Sequence, residues 1–306
     1  MSGTVTLSER TVQTSALTAR LRDGVALTKP GITLFNLITT AGGLLLAYRG
    51  GAAIPAQLTP TTLVCTLLGT ALIVGGANTL NMYIERESDG RMDRTKNRPL
   101  PTGRLSPQVA LAVGVGLSVA SVPVFALGVN LLTCLLAVLA NLLYVLAYTP
   151  LKQRSHHSLL VGAVPGAIPP LLGWTAATGR VDAAGMVLFA ILFIWQVPHF
   201  LAITLFRKED YARAGLVVMP NVTTEEAVKH SIVRYTFALV LVSLLLVPLR
   251  VAGVGYLAVA MVAGVAFQAM ALWGLRPTSD KRWARKLFGL SLVYLVAMMA
   301  ALAIGV

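Results

Sequence analysis

The chain has 306 residues, of which 56% are hydrophobic and 12% are charged, and its mean hydropathy is +0.75. Soluble globular domains carry about 25% charged residues, so this composition excludes an ordinary soluble domain. The net charge of +13 falls mostly on one side of the predicted membrane helices. We therefore interpret it as a topology signal and not as a nucleic-acid-binding surface.

Apolar runs of about 20 residues predict membrane-spanning helices. Nine such runs follow one another, at 31–48, 61–84, 107–127, 129–149, 158–178, 184–206, 231–249, 251–275 and 287–306. No long polar insert separates them. The predicted fold class is all-α, a polytopic membrane protein with nine transmembrane helices, in which a cytoplasmic N-terminal segment, 1–28, precedes one membrane domain, 29–306.

The distribution of lysine and arginine supports this helix count. Only Arg49, Arg180 and Arg250 fall in segments that would face the outer side of the membrane. The positive-inside rule then predicts a cytoplasmic N-terminus and a C-terminus outside. Residues 1–28 contain no apolar signal-peptide core, and this short polar leader favours a bacterial inner membrane over a mitochondrial one.

The second run ends in the most informative motif of the chain, N-M-Y-I-E-R-E-S-D-G-R-M-D. Asn81, Glu85, Asp89 and Asp93 recur every four residues, and four residues turn an α-helix by about 400°. The four side chains would therefore share one stripe, unless the helix ends at Gly90. Amide and carboxylate oxygens suit Mg²⁺, which proteins commonly bind together with substrate phosphates. A solvated helix end with local ion pairs is the alternative.

Three bases follow in the same loop, Arg94, Lys96 and Arg98. Arginine pairs bidentately with phosphate, although positive-inside anchoring alone would also explain these residues. A metal-bound diphosphate needs carboxylates for the metal and cations for the remaining phosphate charge. Acids and bases within one loop therefore favour a diphosphate site.

Two further polar segments follow apolar runs on the same predicted face. The segment 148–154 offers Lys152 and Arg154 to an anion held there. The segment 207–211 offers Asp210, which would place a second carboxylate opposite the first stripe. Either segment alone is a weak indication of a binding site.

Prolines interrupt the fifth and sixth apolar runs, as Pro165, Pro169 and Pro170 in one and Pro198 in the other. Broken helices at membrane depth are tolerated where they line a cavity, so we predict two broken helices with a pocket between them. Simple kinking for packing is the alternative. His199 follows the second break, where it would serve a ligand or make a structural hydrogen bond.

Together these segments resemble the UbiA superfamily of intramembrane prenyltransferases. The likeness extends from about residue 29 to the ninth run, and R-T-K-N-R-P, A-I-P-P and W-Q-V-P-H-F resemble the branch that acts on haem. The resemblance implies nine helices around a central cavity that opens on the cytoplasmic face. It also implies Mg²⁺-dependent transfer of farnesyl from farnesyl diphosphate to a vinyl group of haem B, with addition of water, giving haem O and diphosphate.

The resemblance also assigns residues. The superfamily's N-x-x-x-D-x-x-x-D motif maps to Asn81, Glu85 and Asp89, with Glu in place of the usual Asp. Its second aspartate motif is reduced to Asp210, unlike the D-x-x-x-D of quinone-pathway members. The predicted catalytic residues are Asn81, Glu85, Asp89, Lys152 and Asp210; the predicted metal ligands are Asn81, Glu85, Asp89, Asp93 and Asp210; and the predicted substrate-binding residues are Arg94, Lys96, Arg98, Tyr148, Arg154, His199, Lys208 and Tyr211.

His199 is the candidate haem ligand or haem-orienting group, with His156 and His157 as alternatives. The expected partners are farnesyl diphosphate, haem B, the lipid bilayer and a haem-processing enzyme or oxidase assembly that receives the product. A prenyltransferase acting on an aromatic or quinone precursor is the alternative enzyme. A transporter would need polar groups at mid-membrane and on both faces, whereas here they cluster on one face.

Overall fold

The computed structural model describes residues 18–49, 59–276 and 280–304. Within these ranges the protein is helical, with no β-strand. Nine helices of the described part are long and apolar enough to cross a membrane. The predicted all-α fold and helix count are therefore confirmed.

The helices are numbered in chain order. They are α1 (18–27), α2 (Pro30–Arg49), α3 (Pro60–Asp89), α4 (Pro107–Gly128), α5 (Leu131–Leu151), α6 (Ser158–Thr178), α7 (Ala183–Phe206), α8 (Lys208–Arg213), α9 (Met219–Val222), α10 (Glu225–Leu244), α11 (Val254–Trp273) and α12 (Asp280–Ile304). The short helices α1, α8 and α9 lie between or beside the nine long ones. Side-chain caps fix several of the starts: Thr59, Ser106, Asn130, Asp182 and Thr224 each accept a hydrogen bond from a backbone N–H in the first turn.

Glycines let α2 and α6 touch along their backbones. A Cβ atom on Gly173 would lie 1.9 Å from the carbonyl oxygen of Thr40, and one on Gly43 would lie 2.0 Å from that of Pro170. Small residues permit such close packing between membrane helices, where burial of apolar surface supplies little drive for association. The same α6 also packs against α7 and α5, so it stands at the centre of the bundle.

The two helices that were predicted to be broken are continuous. Both α6, with Pro165, Pro169 and Pro170, and α7, with Pro198, remain helical from end to end. The prediction of broken helices was wrong, because neighbouring helices and local adjustments let a membrane helix accommodate proline without ending. The irregular turn lies instead in α5, where Leu143–Tyr148 forms a π-helical segment.

One end of the bundle collects three connections that are rich in charged residues. We call it the charged end and define it as segments 90–106, 152–157 and 207–224. Its segments contact one another directly: Val217 N donates to the carbonyl oxygen of Lys152 at 2.9 Å, and Met92 packs against Ala214 and Leu216. These contacts make one continuous surface from loops that are far apart in sequence.

Candidate functional site

A cavity of about 520 Å³ opens among α2, α3, α5, α6, α7 and α12. Charged and amide side chains from α3 and the charged end line one part of it. Further along the same helices, and away from the charged end, the lining is mainly apolar, with Ile73, Ile168, Leu172 and Leu192, although the amides of Asn141 and Gln196 also lie there. The cavity is therefore charged at one end and mainly apolar beyond it, as a pocket for an amphiphile with a charged head would be.

Three of the four predicted acidic-stripe positions lie on one face of α3. Asn81, Glu85 and Asp89 are buried, with exposures of 0%, 7% and 1%, and all three line the cavity. The helix ends at Asp89, with Gly90 as its C-cap residue. The predicted stripe is thus confirmed for three residues, and Asp93 lies beyond the helix.

Each residue of the stripe faces a cation. Lys152 Nζ lies 2.8 Å from Glu85 Oε1, and Arg98 Nη1 donates to Asp89 Oδ2 at 2.6 Å. Lys29 Nζ donates to Asn81 Oδ1, also at 2.6 Å. Oxygen donors for a metal ion and cations for phosphate therefore alternate around one end of the cavity.

The π-helical turn of α5 orients the first residue of the stripe. Asn81 Nδ2 donates to Thr149 Oγ1 at 3.1 Å, and Thr149 Oγ1 donates to the carbonyl oxygen of Tyr144 at 2.8 Å. Because the NH₂ group of Asn81 is used in this way, its amide oxygen is left to accept the hydrogen bond from Lys29. Tyr144 and Tyr148, four residues apart, both line the cavity. Such π-turns inside α-helices are frequent at functional sites.

The two lysines of this cluster have opposite electrostatic environments. Burial would lower the pKa of Lys152, but the adjacent Glu85 carboxylate holds it well above its usual value. Burial, reinforced by the nearby Arg98, lowers the pKa of Lys29 to about 7. Lys152 therefore carries a fixed positive charge, whereas the charge on Lys29 is poorly stabilised by its surroundings.

The other two predicted metal ligands meet elsewhere. Asp93 and Asp210 are bridged by Arg213, which lies 2.6 Å from Asp93 and also contacts Asp210. Neither carboxylate lines the cavity. A hydrogen bond from Lys96, with the charges of Lys96 and Arg213, lowers the pKa of Asp93. In residues 18–49, 59–276 and 280–304, no three His, Cys, Asp or Glu side chains are grouped closely enough to hold a metal.

The remaining predicted substrate-binding residues and histidines also fall into two groups, those that line the cavity and those that lie outside it. Arg94, Tyr148, His199 and Tyr211 line the cavity, as does the alternative histidine His156. The others lie outside its lining: Lys96 pairs with Asp93 at 2.8 Å, Lys208 pairs with Glu225 at 3.0 Å, and Arg154 and His157 are exposed.

His199 is held inside the cavity by contacts from α7 and α12. Its ring stacks on Trp195, with 4.6 Å between centroids, and lies 4.7 Å from the ring of Phe288. Its Nδ1 is 2.7 Å from Ser291 Oγ, and that hydroxyl donates its own hydrogen to the carbonyl oxygen of Phe288. Ser291 therefore accepts from Nδ1–H, which leaves Nε2 of the neutral ring with a free lone pair.

Sequence reasoning missed three residues that shape this site. Lys29 lines the cavity, Thr149 orients Asn81, and Gln196 lines the apolar part, with its NH₂ group donating to the carbonyl oxygens of Ala163 and Leu192. Each of them had a sequence signal: Lys29 lies two residues before the first apolar run, Gln196 is a lone amide inside the sixth, and Thr149 lies in the segment 148–154 that offers Lys152.

Comparison with known proteins identifies the family. The sequence matches the UbiA prenyltransferase family over residues 36–295. Protoheme IX farnesyltransferase of Sorangium cellulosum is 53% identical over 275 residues, which are 87% of this chain and 98% of that protein. The Myxococcus xanthus protein of the same name is 48% identical, covering 92% of this chain and 94% of its own length, and the Escherichia coli one is 38% identical, covering 90% and 92%.

Solved structures share the fold at low sequence identity. A digeranylgeranylglyceryl phosphate synthase structure superposes with a TM-score of 0.78 at 16% identity, covering 94% of this chain and 98% of that one. A UbiA homologue from Archaeoglobus fulgidus bound to DMAPP and Mg²⁺ gives 0.61 at 15% identity, covering 92% and 99%. The family match, the relatives and the fold agree, and the chain belongs to the UbiA prenyltransferase family.

Proposed function

We propose that this protein transfers the farnesyl group of farnesyl diphosphate to a vinyl carbon of haem B and adds water, giving haem O and diphosphate. The cavity carries the proposal, because oxygen donors and cations alternate at one end and apolar walls continue from it. This arrangement suits a prenyl chain with a diphosphate head. Relatives at 38–53% identity that are named protoheme IX farnesyltransferase support haem as the acceptor.

The stripe on α3 fits Mg²⁺ by its chemistry. A hard cation takes oxygen ligands, and Asn81, Glu85 and Asp89 offer one amide and two carboxylates to the cavity. The A. fulgidus homologue bound to DMAPP and Mg²⁺ supports the same pairing of metal and prenyl diphosphate. When bound, Mg²⁺ stabilises negative charge on the diphosphate. Because Arg213 bridges Asp93 and Asp210 away from the cavity lining, we leave both out of the proposed metal set.

The cations of the site stabilise the leaving group. In the proposed reaction the bond between farnesyl C1 and the bridging oxygen breaks, and its electron pair leaves with the diphosphate. Lys152, Arg98 and Arg94 line the cavity at the end where that charge grows. Fixed charges placed where charge develops lower the barrier, and they do so most effectively in a site that excludes water.

The apolar walls direct the allylic cation to the acceptor. Ile168, Leu172 and Leu192 keep bulk water from the farnesyl chain. The π electrons of a haem vinyl group then form the new bond to farnesyl C1. The cation left on the vinyl carbon next to the porphyrin takes hydroxide from water, and the proton goes to the released diphosphate or to solvent.

His199 is the proposed haem-orienting group. A neutral histidine can ligate iron through the lone pair of Nε2, and this lone pair is free in His199. The hydrogen bond from Nδ1 to Ser291 fixes the orientation of the ring. The ring of Phe288, which lies against His199 and also lines the cavity, offers aromatic surface for a porphyrin.

We infer that the N-terminus and the charged end face the cytoplasm, because lysine and arginine are concentrated on that side of the helices. The bacterial relatives support a bacterial inner membrane as the location. Farnesyl diphosphate would then enter from that side, and the apolar product would pass to a haem-processing enzyme or oxidase assembly.

Diphosphate release with different acceptors tests the proposal. Purified protein in detergent is incubated with farnesyl diphosphate and Mg²⁺, together with haem B, an aromatic acid or no acceptor. Release that requires haem B supports the proposal. Release that requires the aromatic acid instead would replace it with a quinone-type prenyltransferase. Asp89→Asn is the matched loss-of-function variant, because it keeps the size of the side chain and removes the carboxylate charge.

A further inference from the structure

Lys29 is a cation of the cavity that has no role in the reaction proposed for this protein. Its half-buried side chain lines the cavity beside Asn81, Glu85 and Asp89. Lys152 and Arg98 each have a carboxylate partner, whereas the partner of Lys29 is the neutral amide oxygen of Asn81. Its positive charge is therefore less well compensated than that of either neighbour.

The backbone around Lys29 is built to hold this side chain in place. Lys29 has φ 48°, in the left-handed region that residues other than glycine seldom adopt. Asn78 Nδ2 donates to the carbonyl oxygen of Thr28 at 3.2 Å, and Thr33 Oγ1 donates to the same oxygen at 2.8 Å. Asn78 precedes Asn81 by one turn on α3. The link between α1 and α2 is thus hydrogen-bonded to α3 one turn before Asn81. Unfavourable backbone geometry at a position held in this way indicates a functional constraint.

The ammonium group has donors to spare. Lysine carries three N–H donors, and within the described residues Asn81 is the one hydrogen-bond acceptor of Lys29 Nζ. Two donors are left for another acceptor. A charged group withdrawn from water is stabilised far more by an anion than by a neutral amide. The ligand that satisfies this position is therefore anionic and rich in oxygen.

We propose that Lys29 is a further diphosphate-binding residue, whose ammonium donates to phosphate oxygens of farnesyl diphosphate while it steadies the Asn81 amide. This inference rests on the proposed function. It places one cation opposite each of the three stripe residues, with Lys29 at Asn81, Lys152 at Glu85 and Arg98 at Asp89. A diphosphate entering the cavity would then meet positive charge along the whole stripe.

Binding of inorganic pyrophosphate tests the proposal without turnover. Lys29→Met removes the charge at similar length, Lys29→Arg keeps it, and Lys281→Met is the control, since Lys281 is an exposed residue that pairs with Glu209. Calorimetric titration at saturating Mg²⁺ should show pyrophosphate binding about 10- to 100-fold weaker in Lys29→Met, as expected for loss of a charge-assisted hydrogen bond. Lys29→Arg should recover most of the affinity, and the control should match the unsubstituted protein.

Two further measurements distinguish direct binding of pyrophosphate by Lys29 from a structural role of Lys29 in the site. Haem titration, followed by absorption, should be unchanged in Lys29→Met, and Mg²⁺ binding measured without pyrophosphate should not weaken. Pyrophosphate affinity within twofold of the unsubstituted protein would overturn the proposal, as would a loss confined to Mg²⁺ binding. If Lys29→Met does not fold, Lys29→Gln, which keeps a donor for Asn81 without the charge, decides the question. Haem-dependent diphosphate release by the unsubstituted protein, run in parallel, shows separately whether the proposed function holds.

Discussion

The ion pair between Lys152 and Glu85 links the stability of the protein to the electrostatics of the site, and variants of the two residues can test both. The two groups are 2.8 Å apart, with side-chain exposures of 21% and 9%. Coulomb's law gives about 6 kcal/mol for this separation at an effective dielectric constant of about 20, before the cost of desolvation is subtracted. Removing one partner of a buried pair costs about 3–5 kcal/mol, because the other charge is left uncompensated. Lys152→Met should therefore lower the thermal unfolding midpoint clearly.

The double variant Lys152→Met/Glu85→Gln separates stability from catalysis. With both charges removed, most of the lost stability should return, since neither buried charge is left alone. Transfer activity should not return, because the site then lacks both a metal ligand and a phosphate cation. Unfolding is followed by intrinsic fluorescence in detergent, and activity by diphosphate release. A double variant no more stable than Lys152→Met would refute the pairing argument, and one with recovered activity would refute the assigned roles.

Three other predictions concern separate parts of the site. Asp89→Asn should lower transfer at least about 100-fold while circular dichroism shows the helices retained, although loss of the pair with Arg98 should also lower the unfolding midpoint; retained activity would remove Asp89 from the metal set. Asp93→Asn should lower activity less than about threefold, because surface ion pairs contribute little, and a large loss with altered Mg²⁺ dependence would return Asp93 to that set. His199→Ala should change the absorption spectrum of bound haem while pyrophosphate affinity stays constant, and an unchanged spectrum would exclude His199 as a haem ligand.

The sequence predicted the elements of this protein whose signal is local. Runs of apolar residues define the nine long helices of the described part. The four-residue spacing of Asn81, Glu85 and Asp89 placed them on one helical face, and Gly90 marked where the stripe stops. These inferences need only the helical repeat and the composition of one segment.

Other features depend on contacts between distant segments. Lys29 reaches Asn81 across 52 positions of sequence, and Thr149 reaches it across 68. Arg213 draws Asp93 and Asp210 together away from the cavity, which no spacing within either segment could indicate. The π-helical turn of α5 has no distinctive residue pattern, and the prolines of α6 and α7 suggested breaks that packing against neighbouring helices prevents.

The mass of the product shows whether the protein joins farnesyl to haem B and adds water. Purified protein is incubated with haem B, farnesyl diphosphate and Mg²⁺ in ordinary water and in water labelled with oxygen-18, with a parallel sample containing a chelator. We expect a haem adduct that carries one farnesyl group and one hydroxyl group, with the label in the hydroxyl, and no adduct in the chelated sample. A folded protein that forms no haem adduct, or an adduct that forms equally well with the chelator present, would contradict this expectation.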